Sequence, residues 1–146
     1  MIKNIFLTFT IIFLISCSNK ALTNTYDKSE LKKVNCLKLK ITPNRLDWDF
    51  YLPKLYHFEQ NCPYTLEVSY KENITCNSNQ NVQRKALTAF PNTYLRMEIK
   101  KNSQLIYSYY IDLQEHITKD ELKEAIDTIS KNLNNSPKDK KWKRYL

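Results

Sequence analysis

The chain has 146 residues, 42% hydrophobic and 26% charged, and its 23 Lys+Arg outweigh 15 Asp+Glu for a formal charge of +8. It contains no glycine, which excludes glycine-built phosphate loops, nucleophile elbows and dinucleotide fingerprints. Each of these needs a residue without Cβ where the backbone turns sharply or meets a ligand. With 10 Tyr, 6 Phe and 2 Trp there is enough rigid apolar surface to exclude disorder over the whole length.

Lys3 gives the amino terminus one positive charge, and Ile5 to Ile15 follows without any, which reads as a secretion signal. As a helix that run reaches only about 16 Å, against a hydrocarbon core of roughly 30 Å, so a permanent membrane span is the weaker reading. The run closes on Leu14-Ile15-Ser16-Cys17. These residues resemble the lipobox of bacterial lipoprotein precursors, where an aliphatic residue and two more, the last small, precede a cysteine that becomes the mature first residue. The resemblance implies removal of residues 1–16, diacylglycerol on the Cys17 sulfur and commonly an acyl chain on the new amino group. Two such chains hold a protein stably on a bilayer. In Gram-negative lipoproteins aspartate after the cysteine is associated with inner-membrane retention. Ser18 therefore favours the periplasmic face of the outer membrane. The alternative is an ordinary signal with an incidental cysteine, or an uncleaved anchor.

Residues 17–33 are polar and read as the lipidated cysteine and a flexible tether able to stretch to roughly 53 to 58 Å. A single domain is expected over 34–136. Leu37, Leu39 and Ile41 alternate with Lys38 and Lys40, which predicts a half-buried strand ended by Pro43. Asp47 to Phe58 concentrates aromatic residues around Pro53, with no clean period to decide between strand and irregular loop. Most of these rings suit the core, with Trp48, Phe50 and Tyr51 as candidates for an exposed partner-binding patch. Tyr64, Leu66, Val68 and Tyr70 alternate with polar residues and predict the clearest strand. Val82 to Phe90 is again ambiguous. Leu95, Met97 and Ile99, then Leu105, Tyr107, Tyr109, Ile111 and Leu113, predict the two arms of a hairpin. Thr118 as N-cap, Glu121 three residues on and Ile117 placed to staple onto Leu122 predict a helix start, and Leu122, Ala125, Ile126, Ile129 and Leu133 form its apolar stripe. The predicted class is α+β, a small antiparallel sheet with a C-terminal helix on one face. A β-sandwich with an appended helix is the alternative.

With Cys17 given to lipid, Cys36, Cys62 and Cys76 remain in a compartment that permits disulfides, so one bond and one leftover thiol are expected. If Tyr64 to Lys71 is a straight strand it runs about 26 Å, and the residues up to Cys76 retrace only about 16 Å, which disfavours a bond between Cys62 and Cys76. Antiparallel pairing of the Leu37 and Tyr64 strands would bring Cys36 to Cys76, the expected pair. Cys62 is the alternative partner, a shorter strand would join it to Cys76, and three free thiols remain an option.

No CxxC or HxxxH spacing suggests a metal, and no cofactor is indicated. His57 near Glu59 and His116 beside Glu115 adjoin no nucleophile in a recognisable arrangement, so no catalytic residue is assigned. The basic tail over 137–146 interleaves Lys138, Lys140, Lys141, Lys143 and Arg144 with Trp142 and Tyr145, a mixture able to meet anionic headgroups or an acidic partner, or simply to be solvated. Nucleic acid does not suit this compartment, and no small-molecule substrate is indicated. The expectation is a membrane-anchored periplasmic lipoprotein that acts as a non-catalytic binding or assembly module of an envelope complex. The alternatives are an inhibitor or immunity protein against an envelope hydrolase or toxin, and a hydrolase whose site is assembled in space.

Overall fold

The structure is a computed structural model that describes residues 20–74 and 91–134. Its elements are β1 (Leu22–Thr25), α1 (Lys28–Leu31), β2 (Lys38–Thr42), α2 (Leu46–Leu55), β3 (Tyr64–Lys71), β4 (Thr93–Lys101), β5 (Gln104–Leu113) and α3 (Lys119–Asn134). The strands form one sheet in the order β1-β5-β4-β3-β2, and the fold is α+β.

Alternation along the central strands sorts their side chains between two faces. Leu66 and Val68 of β3, Leu95, Met97 and Ile99 of β4, and Tyr107, Tyr109 and Ile111 of β5 share the inner face and are buried. The stripe of α3 packs over them, with Leu122, Ala125, Ile126 and Ile129 all buried in the same core. Each such apolar side chain removed from water contributes roughly 1.5–3 kcal/mol before the entropy of ordering it is counted. The α3 start is built as the sequence predicts. The Thr118 backbone N–H donates to Glu121 at 2.8 Å, Asp120 N–H donates to Thr118 Oγ1 at 3.2 Å, and Ile117 and Leu122 are both buried. The segment around Pro53 is neither the strand nor the irregular loop expected of it but the helix α2, which lays Trp48 and Leu52 into the core and reaches Pro53 only in its last turn.

The β4 to β5 turn leaves Asn102 and Ser103 both with positive φ, 49° and 69°. In a chain without glycine these positions carry a Cβ into the left-handed region, which costs on the order of 1 kcal/mol at a residue other than Asn or Asp. Ser103→Gly is therefore expected to raise stability by about 0.5–1 kcal/mol, read as a higher urea midpoint at unchanged slope.

Two expectations need correction. The sheet is mixed, because β2 pairs with β3 in parallel, in the register Lys38↔Thr65 to Thr42↔Ser69. Parallel pairing brings the two strand starts together, so Cys36, just before β2, bonds Cys62, just before β3, with Cα atoms 5.8 Å apart. The expected Cys36 to Cys76 pair rested on antiparallel strands, and Cys76 lies outside the described residues. The second correction concerns the segment read as tether. Residues Leu22–Thr25 pair with β5 as an edge strand, Leu22 opposite Tyr110 and Thr25 opposite Tyr107. All of β1 is exposed, so backbone hydrogen bonds form it and side-chain patterning could not reveal it. Next to it α1 is capped by Asp27, whose carboxylate accepts from Glu30 N–H at 2.8 Å, and buries Leu31. Glu30 holds α1 to the sheet through Tyr64 at 2.9 Å and Lys101 at 2.5 Å. Lys101, Lys33 and Tyr64 hydrogen bonds hold the Glu30 carboxyl down at about 2.

Candidate functional site

Among the described residues the helix layer and the opposite face of the sheet present different surfaces. On α2 the inward residues Trp48 and Leu52 leave Leu46 and Phe50, four apart, on the opposite side, 71% and 73% exposed. Acidic Asp47 and Asp49 flank them. Isolated exposed leucines are ordinary, but two large apolar side chains on adjacent turns of one helix form a patch whose burial stabilises a complex.

Of the aromatic residues expected near a partner that lie among the described residues, Trp48, Phe50 and Tyr51, only Phe50 stands free. Trp48 is 2% exposed, with its ring 4.5 Å from that of Tyr70 and the Arg45 guanidinium 4.6 Å above it, so it belongs to the core. The Tyr51 side chain is half-buried. Its hydroxyl donates to the Lys119 carbonyl at 3.4 Å and Lys119 Nζ sits 5.5 Å from its ring, which ties α2 to the start of α3. Leu46 was not singled out in the sequence, because its signal is helical spacing from Phe50 and that segment showed no clear period. Cys17, Cys76, Lys138, Lys140, Lys141, Trp142, Lys143 and Arg144 all lie outside the described residues.

The face of the sheet left uncovered by the described residues is polar, charged and aromatic. Glu67 and Glu98 stand directly opposite each other on β3 and β4. Their repulsion is relieved by Lys100, 2.9 Å from Glu67 and 2.6 Å from Glu98, and by Lys40, 2.9 Å from Glu67. Hydrogen bonds from Lys100 and Lys40 hold the Glu67 carboxyl below its ordinary range. Towards β1, the Tyr94 and Tyr110 rings stack with centroids 5.9 Å apart, and the Arg96 guanidinium lies 5.8 and 5.7 Å from them. The Tyr110 hydroxyl donates to Asp112 at 2.6 Å, and that bond pushes its own titration up to about 12. Among the described residues Arg96 has no carboxylate partner.

Neither histidine is joined to a nucleophile among the described residues. His57 is exposed. His116 Nδ1 lies 3.8 Å from Glu72, whose carboxylate also accepts from Ile117 N–H at 3.0 Å and lies 3.4 Å from Arg45. Glu72 thereby ties the end of β3 to the starts of α2 and α3, a structural arrangement. Outside α3 a shallow open depression lined by Asp120, Lys123, Glu124, Asp127, Thr128 and Lys131 is crossed by the ion pair of Lys123 with Asp127 at 2.8 Å. Among the described residues no three metal-ligating side chains cluster, and no helix is long and apolar enough to cross a membrane. No family model, curated protein or solved structure matches the chain.

Proposed function

We propose that the chain is a membrane-anchored lipoprotein of the bacterial envelope, attached through lipid on Cys17 at the periplasmic face of the outer membrane, and that it acts by binding a protein partner without catalysis. The anchoring half of this reading is supported by Leu14-Ile15-Ser16-Cys17 behind a short uncharged run. The binding half is carried by one observation, the exposed pair of Leu46 and Phe50 on the solvent side of α2. A partner suited to it offers an apolar pocket for the Phe50 ring and basic groups at the rim to meet Asp47 and Asp49.

Phe50→Ala is the test. As a central aromatic anchor its truncation weakens binding by about 2 kcal/mol, roughly thirtyfold in Kd. Because the side chain is exposed in the free protein, folding stability moves by less than about 0.5 kcal/mol. The assay is titration of an envelope partner captured by crosslinking in intact cells, with urea unfolding alongside. Undiminished binding by both Phe50→Ala and Leu46→Ala removes α2 from the interface.

A further inference from the structure

The pairing of β1 with β5 changes how far the domain stands from its anchor. A tether running to residue 33 would let it move freely above the bilayer, but the sheet already begins at Leu22. From Cys17 to Leu22 the chain spans at most roughly 18 Å when fully extended. The headgroup layer of one leaflet takes up roughly 5–8 Å of that reach. With lipid on Cys17, that reach holds the β1 edge at the lipid surface.

Register identifies which surface is brought there. Leu22, 63% exposed, is paired with Tyr110 and so shares the uncovered face of the sheet with it. Tyr110 stands one strand, about 5 Å, from Leu22, and Arg96, its partner on β4, two strands, about 10 Å, away. Tyrosine, with an apolar ring and a polar tip, and arginine, with a weakly hydrated planar cation, suit the boundary between acyl chains and headgroups. The charges on this face agree. Glu67 and Glu98 are neutralised by Lys40 and Lys100, and among the described residues of this face the one remaining negative charge is that of Asp112, which accepts from Tyr110. Arg96, Lys38 and Lys71 are left without a carboxylate among the described residues, available to lipid phosphates.

We infer that the uncovered face of the sheet lies on the membrane, with Leu22, Tyr94, Arg96 and Tyr110 seated among phospholipid headgroups. This rests on the anchoring reading and deepens it. The domain is held flat, and the helix layer, with Leu46 and Phe50 on its outside, faces away from the bilayer.

The experiment uses the full mature chain purified from membranes and reconstituted into vesicles of phosphatidylethanolamine and phosphatidylglycerol. A photoreactive benzophenone analogue of phenylalanine replaces either Tyr94 or Phe50, and crosslinks to phospholipid are counted by mass spectrometry. The yield at position 94 is expected to exceed that at position 50 at least fivefold, and Arg96→Glu is expected to reduce it severalfold. Equal yields, or a larger yield at position 50, overturn the orientation. The intact mass of the same preparation reads the anchor separately. Lipid on Cys17 with equal yields sinks the orientation alone, whereas a chain without lipid there sinks the anchoring reading and the orientation with it.

Discussion

Trp48→Ala is expected to lower the stability of the domain by about 4 kcal/mol, within the range of 3–5 kcal/mol for truncating a buried Trp or Phe. The ring is 2% exposed and fills the space between α2 and the sheet against Tyr70. Its loss leaves a cavity that two rigid elements cannot close. It also removes the surface on which Arg45 lies, and Arg45 in turn faces Glu72, which accepts from the N–H of Ile117 at the start of α3. One truncation thus loosens the joint of β3, α2 and α3 together. Urea unfolding would show a midpoint shift of roughly 2 M for a protein of this size. The comparison with Phe50→Ala, two positions along the same helix, is the sharper check: similar losses from both substitutions would contradict the assignment of one ring to the core and the other to solvent.

Breaking the bond between Cys36 and Cys62 by Cys36→Ser is expected to cost about 3.5 kcal/mol. The bond closes a loop across a sequence separation of 26, and the lost loop-closure entropy of the unfolded chain gives that figure. The loop contains β2 and α2, so the unbonded chain must bring β2 beside β3 without a covalent constraint. Melting with and without reductant measures the effect, and a domain of this size should lose about 15–25 °C. Cys76→Ser is the control. That chain should still lose stability on reduction to the same degree, because Cys76 is outside the bond. Insensitivity of the Cys76→Ser chain to reductant would contradict the observed pairing.

Period was legible wherever burial is one-sided. Tyr64–Lys71 and the hairpin of β4 and β5 follow the alternation of their side chains, and α3 follows its stripe and capping box, because in each case one face meets the core and the other water. Three features escaped because they are formed by something other than one-sided burial. The edge strand β1 is made by backbone pairing and buries no side chain. The helix α2 exposes Leu46 and Phe50 as well as burying Trp48 and Leu52, which blurs its apolar stripe and leaves strand and irregular loop as the readings of its sequence. The parallel course of β2 is a property of the crossover through α2, and without that helix the two strands read as antiparallel neighbours.

The site was legible in the same measure. Phe50 was among the candidates and Leu46 was not, since naming it required a helix to place the two side chains on one face. Trp48 and Phe50 are both large aromatics beside Asp49, and only the turn of α2 separates a core residue from a surface one. Tyr94, Arg96 and Tyr110 lie on the polar side of strands read correctly, but the stacking of Tyr94 on Tyr110 across the hairpin depends on its register.

Intact-mass spectrometry of the mature protein extracted from membranes tests the central proposal most directly. The mature chain is expected to begin at Cys17 and to be heavier than its amino-acid sequence by diacylglycerol and an amide-linked acyl group. A mature chain that retains residues 1–16, or one that begins at Cys17 with an unmodified thiol, would contradict it.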